Sequence, residues 1–347
     1  MLKRFIVSNF LSFNTETELN MIAGSFRTHK HHLYKAKKLN ILKGTAIYGA
    51  NGAGKSNFVK AVNYFQDLVK DGEIGKPIEN KKFRLGDSNK KLPVEFEIEF
   101  YYKHKIYAYG LRINGSIIEQ EWLYLSGIDK DDKMIFERKT NKSGKSSIKI
   151  SNRYIKNQKD KLLIELMQDT LLKSHDLLLS KDEELKIPDI TNARNWILHH
   201  LVIIYPKSKF GALVPALAQS KTFKHFANDL LEAFKTGVNE LKVENIDFDI
   251  YFGKENEELR KELYENIEAG NSVLLPTKHE TVMITNEDGK KIVKKIYALH
   301  RDSSGNKISF DLSEESDGTL RLLDLLPAIN QILNSDTTFL IDEIDQS

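Results

Sequence analysis

Eight consecutive residues constrain this 347-residue chain more than any other feature: Gly49-Ala50-Asn51-Gly52-Ala53-Gly54-Lys55-Ser56. They fit G-x-x-x-x-G-K-[ST], the phosphate-binding loop. Glycines let backbone N–H groups converge on an anion without side-chain obstruction. A helix that follows adds its free N–H groups and the positive end of its dipole. In such a loop the lysine reaches the β- and γ-phosphates and the hydroxyl residue ligates Mg²⁺. Gly49, Asn51, Gly52, Ala53, Gly54, Lys55, Ser56 and Asn57 are therefore the expected nucleotide-binding residues. The flanks fit the same reading. Ala46-Ile47-Tyr48 has the composition of a short buried strand. Phe58, Val59, Val62, Phe65, Leu68 and Val69 recur at spacings of three and four, which predicts a helix over Asn57 to Lys70. An ordinary Gly-rich turn would need none of this order.

A second motif stands near the other end of the chain. Thr338-Phe339-Leu340-Ile341 is an apolar strand signal that runs into Asp342-Glu343. In a phosphate-loop sheet such an aspartate holds the metal, directly or through water. Asp342 and Ser56 are the expected metal ligands. Glu343 is placed to orient or deprotonate an attacking water, so Glu343 and Lys55 are the expected catalytic residues. On its own the motif is weak, because acidic residues often follow strands. A third segment, Glu314-Glu315-Ser316-Asp317-Gly318-Thr319, precedes a helix predicted over Leu320 to Leu333, with Pro327 inside it. A hydroxyl and a glycine at a helix N-terminus make an anion site, or simply an N-cap.

Between these motifs the patterning changes. Phe5-Ile6-Val7 reads as a first strand. Val94, Phe96, Ile98 and Phe100 alternate with Glu95, Glu97 and Glu99, which predicts a strand buried on one face. Further strands are expected over Ile106 to Ile113, Ile117 to Leu125 and Met134 to Arg138, with Asn114-Gly115 as a hairpin turn. They form an antiparallel meander with one wet face. Helices are expected from about Ser151 to Leu201, clearest over Leu162 to Leu179, and again over Lys221 to Leu241 and Glu255 to Ala269. Glu280 to Thr285 and Lys291 to Leu299 read as strands.

The charge balance, 52 basic against 49 acidic residues, favours neither nucleic acid nor an acidic membrane. Two local basic runs, Arg27 to Lys38 and Lys139 to Lys149 with Lys142, Lys145 and Lys149, are candidate DNA phosphate contacts, though charge runs are usually solvated faces. A metal site from His29, His31 and His32 is not expected, because no acidic ligand lies close in sequence. The chain holds no cysteine, which excludes disulfides and thiolate metal sites. No apolar run approaches the ~20 residues of a membrane span, and a cytoplasmic protein with no membrane partner is expected.

Together the segments Phe5-Ile6-Val7-Ser8-Asn9-Phe10-Leu11-Ser12-Phe13, Tyr48 to Asn57, Phe96 to Phe100, Glu315 to Thr319 and Leu340-Ile341-Asp342-Glu343-Ile344-Asp345 resemble the prokaryotic AAA-annotated, ABC-class ATPases related to the SMC, RecF and OLD families. The likeness is greatest to the RloA-type and PARIS-type ATPases of anti-phage defence. It implies an α/β P-loop NTPase of ABC-type head, with an antiparallel β subdomain and an inserted helical lobe. Three parts are expected: 1–150, an N-terminal ATPase lobe; 151–275, a helical insertion; and 276–347, a C-terminal ATPase lobe.

The resemblance further implies ATP and Mg²⁺ as cofactors and two heads sandwiching two nucleotides, as a dimer or a larger homo-oligomer. Ser316, Gly318 and Thr319 of one copy would meet the nucleotide of the other. An effector or nuclease partner is implied, with a nucleotide-driven switch or sensor as the function. An ATP-dependent scaffold with little turnover, or an SMC/RecF-like DNA-repair ATPase, are the alternatives. Two departures stand out. The Q-loop glutamine has only Gln66 and Gln120 as candidates. The last residues, Asp345-Gln346-Ser347, fall within the expected D-loop, as if the sequence were the N-terminal portion of a longer protein.

Overall fold

The computed structural model describes residues 1–347 apart from 26–27, 37–38, 128–130, 207–212, 254–256, 269, 278–279, 288 and 344–347. The chain forms two compact units, and the boundaries expected after 150 and 275 coincide with neither. The first unit joins Met1–Ile204 to Asp336–Asp342, and the second is built on Tyr205–Ser335.

In the first unit the strands are β1 (Leu2–Ser8), β2 (Thr17–Asn20), β3 (Leu33–Ala36) and β4 (Leu39–Leu42), followed by helix α1 (Lys55–Asp71). The meander follows as β5 (Val94–Tyr102), β6 (Lys105–Asn114), β7 (Ile117–Leu125), β8 (Lys133–Thr140) and β9 (Ser146–Ile150). Then come α2 (Gln158–Leu166), α3 (Asp182–Leu185), α4 (Pro188–His199) and β10 (Leu201–Ile204). The main sheet runs β2-β1-β5-β6-β7-β8-β9, with β1 antiparallel to β5 so that Phe5 lies opposite Ile98.

The apolar face predicted for α1 is buried against this sheet. Phe5 meets Phe58 and Phe65 edge-on at 5.6 and 5.9 Å, and Phe65 lies 6.0 Å from Phe96. Aromatic pairs at these separations add specific geometry to their area burial. On the same core, Trp196 of α4 stacks on Phe100 at 4.1 Å. This packing fixes the axis of α1, and hence the place of the loop at its N-terminus.

The other face of the meander is less wet than its alternating glutamates suggest. Glu99 is only 3% exposed and is paired with Lys3 and Arg4. Trp122 Nε1 donates to Glu97 at 2.9 Å, and burial holds the Glu97 carboxyl above the usual carboxylate range despite that bond. Gly110 lies under the Trp122 ring, where a Cβ would come within 2.1 Å of it. The strands β3 and β4 cover the end of the meander, burying Ile41 with Tyr101 and Ile106.

The stretch Leu162 to Leu179 is not one helix. α2 ends at Leu166, a π turn spans Met167–Leu171, and Leu177, Leu178 and Leu179 are buried beyond it. A buried ion pair takes up this backbone. Glu121 accepts from the amides of Leu178 at 2.7 Å and Leu179 at 2.8 Å, and from the Tyr109 hydroxyl at 3.1 Å. Arg138 donates to the carbonyls of Lys173 and Asp176 and lies 3.6 Å from Glu121. Burial pushes the Glu121 carboxyl up and the Arg138 guanidinium down, each against the pull of the other. Apolar periodicity cannot register such tertiary hydrogen bonding.

The helical insertion expected over 151–275 falls partly in each unit, and the second unit mixes helices and strands. It contains α5 (Leu213–Gln219), α6 (Lys221–Ala233), β11 (Glu240–Asp247), α7 (Phe248–Phe252) and α8 (Glu257–Asn266). These are followed by β12 (Ser272–Pro276), β13 (Thr281–Glu287), β14 (Lys290–Arg301), β15 (Lys307–Asp311) and α9 (Asp317–Asn334). The sheet runs β11-β14-β13-β12, with β15 also on β14. Leu217, Leu231, Leu323 and Leu326 of the helices bury against Leu241 and Ile296 of the strands. Pro327 is buried inside α9 without ending it.

Glu240 of this unit gives a pH-dependent expectation. It accepts from Lys224 Nζ at 2.7 Å and Lys307 Nζ at 2.6 Å, and these bonds lower its carboxyl from 4.5 to about 2. A depressed folded pKa gives stability that is present in full above the unfolded value and lost as pH falls through the folded one. The stability gap between the parent and Glu240→Gln should therefore close as pH drops from 4.5 to about 2. Thermal unfolding across that window checks it; a gap independent of pH would count against the ion pair.

The chain closes with β16 (Thr338–Ile341), which belongs to the first unit and runs parallel to β10, Ile204 opposite Ile341. No described helix is long and apolar enough to cross a membrane.

Candidate nucleotide-binding site

The first unit builds its site from three segments: the turn after β1, the loop before α1 and the end of β16. α1 begins at Lys55, and its N-cap, Gly54, has φ 101° and makes no side-chain capping bond. The amides of the first turn thus have no side-chain oxygen from the cap, which is the ready-made condition for binding an anion. Gly52 is also left-handed, at φ 81°. At φ 101° a side chain on Gly54 would be strained, and its Cβ would also come within 2.8 Å of Ser12 Oγ in the turn after β1, so the position favours glycine. That turn is itself tight: Phe10 and Phe13 exchange backbone hydrogen bonds of 3.0 and 2.8 Å, and Phe13 packs edge-on against Phe58. Its base is held by buried Asn9, whose Nδ2 donates to the carbonyls of Asn89, Leu92 and Pro93. The motif alone gives no reason to single out Ser12, Phe13 and Asn9 as supports of the loop; the left-handed glycine at 54 is the one sequence signal that something must press against it.

Lys55 Nζ donates to the carbonyls of Gly49 at 2.7 Å and Ala50 at 3.2 Å, so the ammonium folds over its own loop. Gly49 to Ala53 are exposed, while Gly54 to Asn57 are half-buried as the helix sinks into the core. Ser56 Oγ donates to Asp342 Oδ1 at 3.2 Å, although 286 residues separate them. Asp342 is 8% exposed, and its amide donates to the Ile204 carbonyl at 2.9 Å, which aligns the end of β16 with that of β10. A hydroxyl and a carboxylate converging at a phosphate loop are hard oxygen donors of the kind Mg²⁺ takes. The loop with its left-handed Gly52 and Gly54 and this oxygen pair fit a polyphosphate with its magnesium. Glu343 follows directly, exposed and with a left-handed φ of 52°.

Several expectations are corrected. Ala46-Ile47-Tyr48 forms no strand among the described residues: Ile47 is 43% and Tyr48 90% exposed. Apolar, β-branched composition makes a strand only where a neighbour pairs with it, and no described strand pairs with these residues. Gln66 spends its amide on the carbonyls of Ile197 and Leu201, at 2.6 and 2.7 Å, and so braces α1 against α4. Gln120 lies within β7, opposite Arg112 and Lys139. Of the basic runs, Arg27, Lys37 and Lys38 lie outside the described residues, as does Asp345. Lys139, Lys142, Lys145 and Lys149 are exposed on β8, β9 and the turn between them.

In the second unit Ser316 is the N-cap of α9. Its Oγ accepts from the Thr319 amide at 3.1 Å and lies 3.0 Å from the Thr319 hydroxyl. Ser316 is exposed, Gly318 half-buried and Thr319 buried. Glu315 bonds His300 Nε2 at 2.6 Å.

A model of the family described as "AAA domain, putative AbiEii toxin, Type IV TA system" matches residues 45–347. The chain belongs to this family. It is therefore a P-loop ATPase domain of mixed α/β fold. The matched span takes in Lys55, Ser56, Ser316, Asp342 and Glu343 together, and with them the whole of the second unit.

Proposed function

We propose that this AAA-family ATPase is a nucleotide-driven switch of the ABC class, in which two copies join across bound ATP and the joined state controls an effector protein in anti-phage defence. The observation that carries the reading is the meeting of Ser56 and Asp342 at 3.2 Å from opposite ends of the chain. Backbone amides of residues 49–56 and Lys55 would hold the phosphates, and Ser56 and Asp342 the magnesium. The metal, when bound, neutralises phosphate charge and orients the phosphoryl group. Glu343 stands next to the metal ligand and exposed, as a water-positioning carboxylate should. The family's description as a toxin of a toxin–antitoxin system supports an effector partner and a defence setting.

The joining step rests on Ser316, Gly318 and Thr319 at the N-terminus of α9, where the exposed Ser316 would meet a phosphate of a second copy. The competing role for Ser316 is that of a plain N-cap, and one substitution separates the two. Aspartate caps a helix as well as serine does. Ser316→Asp should leave thermal stability and monomer ATP binding near those of the parent, and abolish ATP-dependent self-association by setting a carboxylate against the partner's phosphates. Sedimentation with and without ATP reads this out. Undiminished association in Ser316→Asp would show that the segment does not face nucleotide.

A further inference from the structure

We infer that His29, His31 and His32 form a binding site for a divalent transition-metal ion of the zinc class. One ring nitrogen from each of the three histidines lies within 4.8 Å of the others. The ring centroids are 4.1 Å apart for His31 and His32, and 5.9 Å apart for each of the other pairs. Backbone geometry produces this convergence. His29 takes a left-handed conformation, φ 56° and ψ 34°, and its carbonyl accepts from the His32 amide at 2.9 Å, closing a single 3-10 turn over Lys30–His32. The His32 carbonyl in turn accepts from the Lys43 amide at 2.9 Å, tying the turn to the β3–β4 hairpin. Left-handed backbone is disfavoured for a residue with a Cβ, and all three histidines are exposed, their rings open to a ligand from solvent.

The donor set decides the ligand. A zinc ion with Zn–N distances of about 2.0–2.1 Å holds its nitrogens roughly 3.4 Å apart, within reach of small side-chain rotations from the observed spacing. Three imidazoles are a sufficient protein set for zinc, with a further position open to water or an anion. The lack of an acidic neighbour, which argued against a metal in the sequence, only leaves the site's charge uncompensated. Imidazole nitrogens favour zinc, copper and nickel, whereas the oxygen pair at Ser56 and Asp342 suits magnesium. The two sites therefore differ in the metal they select, and the histidine site does not depend on the proposed switch.

Full-length protein without a histidine tag, titrated with Zn²⁺ by calorimetry in excess Mg²⁺, tests the inference, with Co²⁺ as a spectroscopic probe. One Zn²⁺ per chain and the visible bands of nitrogen-bound Co²⁺ are expected. His29→Ala, His31→Ala and His32→Ala should each weaken binding by roughly tenfold or more. His175→Ala, which alters a second cluster of potential ligands among the described residues, Glu73, His175 and Asp176, should bind zinc as the parent does. So should Lys55→Ala, which separates failure here from failure of the ATP site. Zinc affinity that survives His31→Ala, or that is lost with His175→Ala instead, overturns the assignment.

Discussion

Replacing Lys55 with alanine should lower ATP affinity by about 100-fold or more and leave the fold intact. The first part follows from charge. Lys55 offers the loop's only side-chain cation, and charge-assisted hydrogen bonds contribute about 1.5–3 kcal/mol each. Two such bonds to phosphate oxygens, at about 1.4 kcal/mol per factor of ten, correspond to a loss of at least two decades. The second part follows from geometry. Among the described residues Nζ bonds to the exposed carbonyls of Gly49 and Ala50, and the residue is half-buried. Water can replace those contacts, so the melting temperature should barely move. Calorimetric titration with ATP beside a thermal melt measures both. If Lys55→Ala binds ATP as tightly as the parent, the loop does not grip a polyphosphate and the proposed switch fails with it.

The phosphate loop, α1 and the meander could be read from the sequence because each rests on local rules. The 3.6 period of Phe58, Val62, Phe65 and Val69 and the alternation from Val94 to Phe100 are patterns a single element imposes on itself. The elements whose sequence misleads depend on partners distant in the chain. Leu162 to Leu179 look like one helix, yet the chain breaks after the π turn and restarts as a 3-10 turn at Leu178, where Glu121 accepts from the free amides of Leu178 and Leu179 and Arg138 donates to the carbonyl of Lys173 in the break. Ile47 and Tyr48 look like a strand but have no described neighbour to pair with. Residues 151–275 read as helical because α4 and α6 carry periodic apolar residues, while β11 carries alternating charge, Glu240, Lys242 and Glu244, on a half-exposed face. At the candidate site the motif named Lys55, Ser56 and Asp342. It could not name Ser12, whose role is steric and visible only as the missing Cβ of Gly54.

The adjacent carboxylates Asp342 and Glu343 should fail in different ways, and this contrast is the sharpest test of how the site would work. Asp342 is buried and bonded to Ser56, and asparagine can keep that hydrogen bond while losing the charge. Asp342→Asn should therefore fold normally but require much higher Mg²⁺ for ATP binding, by about 1–2 decades as one hard anionic ligand is lost. Glu343 is exposed and sits at φ 52°, a conformation unfavourable for glutamate that nothing in the strand itself requires. Strain of this kind tends to mark positions held for function. Glu343→Gln has the same shape and keeps the same backbone, so stability should change by less than about 0.5 kcal/mol. It should bind ATP and Mg²⁺ as the parent does, hydrolyse about 10²–10⁴-fold more slowly through loss of a general base, and accumulate as an ATP-bound dimer. Single-turnover hydrolysis with sedimentation in ATP distinguishes the two variants. Should Glu343→Gln turn over at the parent rate, the base lies elsewhere; should Asp342→Asn show an unchanged Mg²⁺ requirement, the contact between Ser56 and Asp342 is a structural hydrogen bond that joins β16 to α1.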